Sequence, residues 1–381
     1  MPDTEPTEQN DAQPSESPPP YIISNPSSHT MLTSLFEYVR QKMHQDILSQ
    51  EWNEIIVRGE YSRTPPRARL ADCEKRDKLF NWHRPTATIL GPGVLALNCF
   101  PGVDYTEHYA SLVATYLALT GQNPALVKCQ MPEPSRCREI FRTSNLKELG
   151  DVDVMVIGYV DQMRAVAGGE WQSGITRGSG GGDGVVFSWQ KKTISGPDGK
   201  SKAVAYLASM PSFWGDISYH LVHALHEFNR PKCLVYLGKA GSLQAEILPN
   251  EWLVTGAGSL VRGELIEWGN VLERECQTSE VVALGNMVTV SSPLCESFDW
   301  LEENKGQASW VDCEVGHIAK ACKETGTQFG YLHIVSDNVS GRHDENLANE
   351  QTSIVRIKRR KLFDEMQTIL EGFLMRYDGE P

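Results

Sequence analysis

Apolar positions follow two different rhythms along the chain, preceded by a stretch with neither. Residues 1–29 are rich in Pro, Ser, Glu, Gln and Asp and hold too little apolar surface to offset the entropy of ordering, so a disordered tail is expected. Over 31–52, Leu32, Leu35, Phe36, Val39, Met43, Ile47 and Leu48 recur near helical spacing and predict an amphipathic helix packed on the body. Thr64-Pro65-Pro66-Arg67 breaks the chain. Apolar runs at 87–90 and 94–100 flank Gly91-Pro92-Gly93 and predict two strands about a turn. Residues 104–120 read as a helix with Asp104 as candidate cap and Gly121 as stop, 125–129 as a strand, and 135–149 as a helix capped by Ser135. Residues 30–150 are therefore a folded α/β extension, and they contain no recognisable site motif.

From Val152 the alternation of strand and helix lengthens. Residues 152–160 form an apolar run with Gly158 near its end, suited to a buried central strand. The Gly-rich stretch 178–184 lacks the lysine and hydroxyl residue of a phosphate P-loop and does not open a helix. Residues 185–190 and 203–208 flank the turn signal 195–199 and predict a hairpin. A helix over 216–228 carries His220, His223 and His226 at a spacing unlike that of a zinc pair. The strand 232–237 runs into Gly238-Lys239-Ala240-Gly241, read as a turn whose small residues admit a ligand to the backbone, with Lys239 adding a charge for an anion. Further strands are expected at 253–257 and 280–290, and a last helix at 353–375. The pattern predicts an α/β fold: a mixed, mostly parallel central sheet flanked by helices.

One unit carries candidate chemistry. Val311, Val315, Ile318, Ala319 and Cys322 have helical spacing, Gly326 is a stop, and 329–335 is a buried strand ending in Ser336-Asp337-Asn338. A helix followed by a strand packed beside it places the helix start and the strand end at the same rim. Glu314 in the first helical turn and Asp337 past the strand could therefore meet where open α/β sheets bind ligands. Each also has a structural explanation, as a partner for the helix dipole and as a turn residue.

Composition narrows the classes. A net charge of −13, with Lys358–Lys361 as the single compact basic cluster, argues against nucleic acid as main partner. That cluster sits in a helical pattern and reads as a solvated face. There is no apolar run long enough to span a membrane and no secretory leader pattern. Nine dispersed cysteines without a CxxC pair point to reduced thiols in a cytosolic or nuclear setting, with no metal or cofactor implied.

The blocks of the second stretch resemble, in order, those of the nucleoside phosphorylase superfamily, which includes purine and uridine phosphorylases and methylthioadenosine and AMP nucleosidases. Residues 154–160 are similar to its opening strand. Residues 237–243 (LGKAGSL) resemble its TGSAGGL-like turn, Val311-Asp312-Cys313-Glu314 its (D/E)-M-E block, and Ile334-Val335-Ser336-Asp337 its I-S-D. The resemblance covers about 152–374 and assigns 151–376 to such a domain. It implies cleavage of the N-glycosidic bond of a purine nucleoside or nucleotide. Asp337 would be the general acid on the base, Glu314 would accept from the ribose hydroxyls, and Cys313 would stand where a methionine packs on the sugar. Gly238, Lys239, Ala240 and Gly241 would bound the sugar or phosphate pocket. Inorganic phosphate would be the co-substrate of a phosphorylase, and a homo-oligomer is implied. The departures are equally specific. Asp161 or Gln162 stands where nucleosidases orient water. Phe213 and Trp214 replace an open glycine-rich turn, and either stack on a base or fill the pocket. Arg164, Arg177, Arg262 and Lys239 are the candidate phosphate cations. The alternative is a catalytically altered nucleoside-binding or interaction protein on the same fold.

Overall fold

A computed structural model of the chain describes residues 20–379 except 65–67, 77, 174–185, 198 and 342. The Gly-rich stretch 178–184, Arg177 and most of the expected tail lie outside the described residues. Residues 20–29 are held to the body: the Tyr21 and Ile23 amides donate to Ser111 Oγ (2.9 Å) and Thr115 Oγ1 (3.2 Å).

The first part of the chain forms α1 (Ser34–Arg40), α2 (Gln45–Ser49), β1 (Glu54–Arg58), β2 (Thr86–Gly91), β3 (Val94–Asn98), α3 (Val103–Leu119), β4 (Val127–Gln130) and α4 (Pro134–Arg142). The single helix expected over 31–52 is two helices. His44 is extended (φ −64°, ψ 140°) and its ring accepts from the Asp46 amide, which ends one helix and starts the next. Four strands pair in the order β2-β3-β1-β4, with β1 parallel to β3 and β4. The long helix α3 is buried almost all round, so its polar side chains must find partners inside the protein. Thr106 Oγ1 donates to Gly102 O, and His108 Nδ1 meets Ser292 Oγ at 2.7 Å. Gly102, not Asp104, is the cap; Asp104 lies in the first turn. Likewise Glu133 precedes α4, and residues 145–149 form a 3₁₀ turn after it ends.

The rest forms β5 (Val154–Gly158), β6 (Phe187–Ser195), β7 (Ser201–Ser209), α5 (Ile217–Phe228), β8 (Cys233–Ser242), β9 (Leu253–Thr255), β10 (Gly258–Val261) and β11 (Glu264–Glu267). Then come α6 (Glu273–Cys276), β12 (Val282–Leu284), β13 (Met287–Thr289), α7 (Phe298–Asn304), β14 (Trp310–Asp312), α8 (Val315–Thr325), β15 (Gln328–Asn338) and α9 (Ser353–Arg376). Among the described residues, eleven strands join in one mixed, mostly parallel sheet. The strand expected over 280–290 is two strands, parted at Gly285-Asn286, which run beside different partners. Alternation along the buried strands feeds two cores. Met155, Ile157, Leu234 and Tyr236 face the core that includes α3, α5 and α8, together with Ile55 and Leu95 of the small sheet. Val154, Val156, Val235 and Leu332 face Leu362, Met366, Ile369 and Phe373 of α9. Helices thus cover both faces of the central strands, the arrangement that near-continuous apolar strands require. The small N-terminal sheet shares the first core, so both sheets are bound through one contiguous apolar interior.

Two departures from the sequence reading matter for the site. Residues 238–241 are not a turn. β8 continues through them, pairing with β15 as far as Asn338 and with β14 at Gly241 and Ser242, so their backbone is extended and fully engaged. The helical spacing from Val311 is also misleading, because Val311 belongs to β14 and α8 begins at Val315 with Glu314 as its cap residue.

Candidate functional site

Glu314 is positioned by its neighbours in sequence. The Asp312 carboxylate accepts from the amides of Glu314 (3.1 Å) and Val315 (2.8 Å) and from Thr289 Oγ1 (2.8 Å). Asp312 therefore does the capping of α8, leaving the Glu314 side chain free to turn inward. There it accepts from Tyr236 Oη (3.2 Å) and from the Gly215 amide (3.4 Å). Burial, and then the nearby Asp312 carboxylate, push Glu314 up to about 8, and Asp312 itself rises to about 6 through burial.

Asp337 is positioned by an irregularity. Val335 pairs with Ala240 and Asp337 with Gly241, so Ser336 is an extra residue that re-aims the end of β15. Ser336 Oγ donates to Asp337 Oδ1 at 2.7 Å. Gly241 lets the carboxyl lie close: a Cβ there would stand 3.3 Å from Asp337 Oδ2. Burial raises Asp337 above the usual carboxylate range, the Ser336 hydrogen bond opposes this, and the Glu350 charge adds to it.

Glu314 and Asp337 face one cavity of about 190 Å³ at the strand ends. Cys313, Gly238, Lys239, Ala240, Gly241, Phe213 and Trp214 line the same cavity. The Cys313 thiol is buried and held in its neutral form, first by burial and then by the adjacent carboxylates. Gly238 is required by crowding, since a Cβ there would meet His333 Nε2 at 2.6 Å. Trp214 stacks on His108 (centroids 4.2 Å apart, 15° between planes) and its indole donates to Ser291 O at 2.9 Å. Phe213 packs edge-on against Tyr236 at 5.5 Å. Trp214 and Phe213 are thus fixed aromatic walls of a space that remains open.

Lys239 is bound to Glu350, and Arg359 reaches the same carboxylate at 2.9 Å. Burial works against charge on all three. The two cations nevertheless hold Glu350 well below the ordinary range, and Glu350, with Tyr159, raises Lys239. Arg359, read from the sequence as part of a solvated helix face, is turned inward with 12 % of its side chain exposed.

Several expected participants are elsewhere. Asp161 Oδ2 accepts from the Leu79 amide at 3.0 Å and anchors the loop that carries it; neither Asp161 nor Gln162 lines the cavity. Arg262 pairs with Asp104 (2.9 Å) and Arg164 with Asp364 (3.7 Å), both away from the cavity. Their places on its wall are taken by residues with no motif: Lys42, Lys75, Lys78 and Arg84 from the N-terminal part, and Glu296 after β13. Glu296 is buried and raised well above the carboxylate range by burial and by Asp337. No group of three or more metal-ligating side chains occurs among the described residues.

No family model matches the chain, and no curated protein is significantly similar. Solved structures are similar in part. A 5′-methylthioadenosine/S-adenosylhomocysteine nucleosidase from Colwellia psychrerythraea 34H in complex with adenine is 14 % identical, with a TM-score of 0.43, over 61 % of this chain and 98 % of that one. The native futalosine hydrolase of Helicobacter pylori strain 26695 is 14 % identical, with a TM-score of 0.44, over 60 % of this chain and 99 % of that one. The 5′-methylthioadenosine/S-adenosylhomocysteine nucleosidase of Helicobacter pylori, in complex with a pyrrolidine ligand, is 15 % identical, with a TM-score of 0.44, over 60 % and 100 %. No helix of the described residues is long and apolar enough to cross a membrane.

Proposed function

We propose that the cavity binds a purine nucleoside or nucleotide and cleaves its N-glycosidic bond. The observation that carries this reading is the convergence of Asp337, favoured in its protonated form by burial, and Glu314 on one cavity with an aromatic wall. Heterolysis of the bond leaves its electron pair on the base and positive charge on the sugar. Asp337 delivers its proton to N7 of the leaving purine, a contribution of about 10²–10⁴ in rate for a positioned acid. Glu314 accepts from the ribose hydroxyls, and these donors favour its ionised form, so it releases a proton on binding. An oxygen of water, which gives up a proton to solvent, or of inorganic phosphate then bonds to C1′, and Asp337 regains its proton from solvent. Phe213 and Trp214 stack on the base.

A second reading, binding without turnover, is favoured by one observation: Asp161 anchors a loop instead of reaching the cavity. The deciding experiment incubates the protein with adenosine, inosine, guanosine, methylthioadenosine and AMP, with and without phosphate, and measures free base. Base release that Asp337→Asn abolishes supports cleavage. No base from any substrate, with wild type equal to Asp337→Asn, sinks it. Calorimetric binding in that case supports the second reading.

A further inference from the structure

The cavity wall supplied by the N-terminal part is cationic, and no carboxylate is bonded to its lysines among the described residues. Lys42 lies in the break between α1 and α2, its carbonyl accepting from Tyr109 Oη at 3.0 Å and its Nζ resting 4.0 Å from the centre of the Tyr38 ring. Lys75, Lys78 and Arg84 come from the loop between β1 and β2. That loop is tied to the main sheet by backbone bonds from Asn81 to Ser209 O (2.7 Å) and from Trp82 and His83 to Met210 O (3.0 and 2.9 Å), and by the Leu79–Asp161 bond. It is a built wall, not a loose excursion. Among the described residues no carboxylate pairs with Lys42, Lys75 or Lys78, and Arg84 bonds to Asn81 and to the His83 carbonyl. Glu350, on the same cavity, acts on all three lysines but is already bonded by Lys239 and Arg359, so in a chain of net charge −13 four further cations converge on one half-buried space with no carboxylate bonded to them.

Such a cluster is unfavourable when empty. Burial lowers Lys42 to about 7 and Lys75 to about 8, and it lowers Lys78 well below the usual lysine value. Arg84 and Lys239 add to the effect in each case, and the Glu350 charge opposes it. An anion that accepted hydrogen bonds from these groups would restore their charge. Lys42, Lys75 and Lys78 reach the cavity from the break between α1 and α2 and from the loop between β1 and β2, whereas Glu314 and Asp337 reach it from the start of α8 and the end of β15. The cationic wall is therefore a separately built part of the cavity beside the carboxyl pair.

We propose that residues 42–84 add a phosphate subsite to this cavity, and that its ligand is a nucleoside carrying a phosphate ester. The nucleoside half of that statement rests on the function proposed above; the phosphate half rests on the lysine wall alone. The shared chemistry is a phosphate oxyanion. A free phosphate co-substrate would have to reach C1′ of the sugar at Glu314, whereas an ester holds its phosphate away from that carbon, and that phosphate is the one assigned to the lysines.

The test is calorimetric titration of the full chain with adenosine, AMP, ADP, ATP and inorganic phosphate, repeated at raised salt and with Lys75→Gln/Lys78→Gln. Binding of at least one adenine nucleotide is expected to be tighter than that of adenosine by about tenfold or more for each lysine engaged. The preference should weaken with salt and collapse towards unity in the double variant. The mono-, di- and triphosphate titrations report how many phosphates the wall accepts. Circular dichroism checks that the double variant is folded; if it is not, the wild-type titrations decide alone. Equal affinity for adenosine and all three nucleotides overturns the proposal, as does binding of inorganic phosphate with no advantage for any nucleotide. Readouts separate the two claims: nucleotide preference without base release supports the subsite and refutes cleavage, and base release with no phosphate preference does the reverse.

Discussion

The Glu350 ion triad offers the most quantitative test of the architecture, and it does not depend on the reaction. Glu350→Gln keeps the shape and removes the charge that Lys239 and Arg359 share. At 2.9 Å and an effective dielectric constant of about 20, the Arg359–Glu350 attraction alone is about 6 kcal/mol. Removing one member of a buried pair costs about 3–5 kcal/mol once desolvation is set against attraction. Lys239 can limit the loss by shedding its proton, at about 5 kcal/mol from its reference pKa to pH 7, but Arg359 has no such outlet. For a chain of 381 residues, an unfolding entropy of about 2.1 cal/mol/K per residue gives about 0.8 kcal/mol per degree. Tm should therefore fall by about 4–6 °C. The sign with pH follows from linkage. Glu350 is depressed in the folded state, so its contribution is present above its unfolded pKa and lost as pH falls through the folded value. Differential scanning calorimetry of both proteins should show a steady gap near neutral pH that closes in strong acid. Equal Tm values at pH 7 would refute the reasoning, because they would mean that the two cations do not need Glu350.

Other outcomes follow from single contacts. Asp337→Asn should lower kcat by about 10²–10⁴ with little change in fold, and wild-type kcat should fall as pH rises through the Asp337 pKa; steady-state base release checks both. Glu314 titrates at about 8 when folded, against a reference of 4.5, so the folded state binds the extra proton and stability falls as pH rises through that window. Glu314→Gln should accordingly match wild type in Tm at about pH 4 and exceed it at about pH 9, by up to about 5 kcal/mol in stability, as thermal melts across pH would show. Gly158 has φ +99°, and a Cβ there would stand 1.9 Å from Leu237 O, so Gly158→Ala should cost more than about 4 kcal/mol and yield no folded protein by circular dichroism.

The sequence by itself determined what is local and periodic. The apolar runs of β5 and β15, the helix–strand reversal from α8 to β15, and the hairpin of β6 and β7 are written in spacing and turn residues that act over a few positions. Because that reversal is local, it was enough to predict that Glu314 and Asp337 lie at one rim. The limits were set by contacts distant in sequence. Glycines 238 and 241 read as a turn because small residues usually mark one, yet pairing with β14 and β15 keeps them extended. Val311 matched a helical repeat but is claimed by the sheet, since its pairing with Val288 and with Gly241 needs it there. Asp161 looked like a water-orienting carboxylate from its place after β5, and only the fold shows it bonded to Leu79. Lysines 42, 75 and 78 carried no signal, because a lysine in a loop normally reaches water. The loop of Lys75 and Lys78 is tied by backbone hydrogen bonds between residues more than 100 positions apart and Lys42 is held by the Tyr109 side chain, and no periodicity in a single chain encodes which loop will be tied to which strand end.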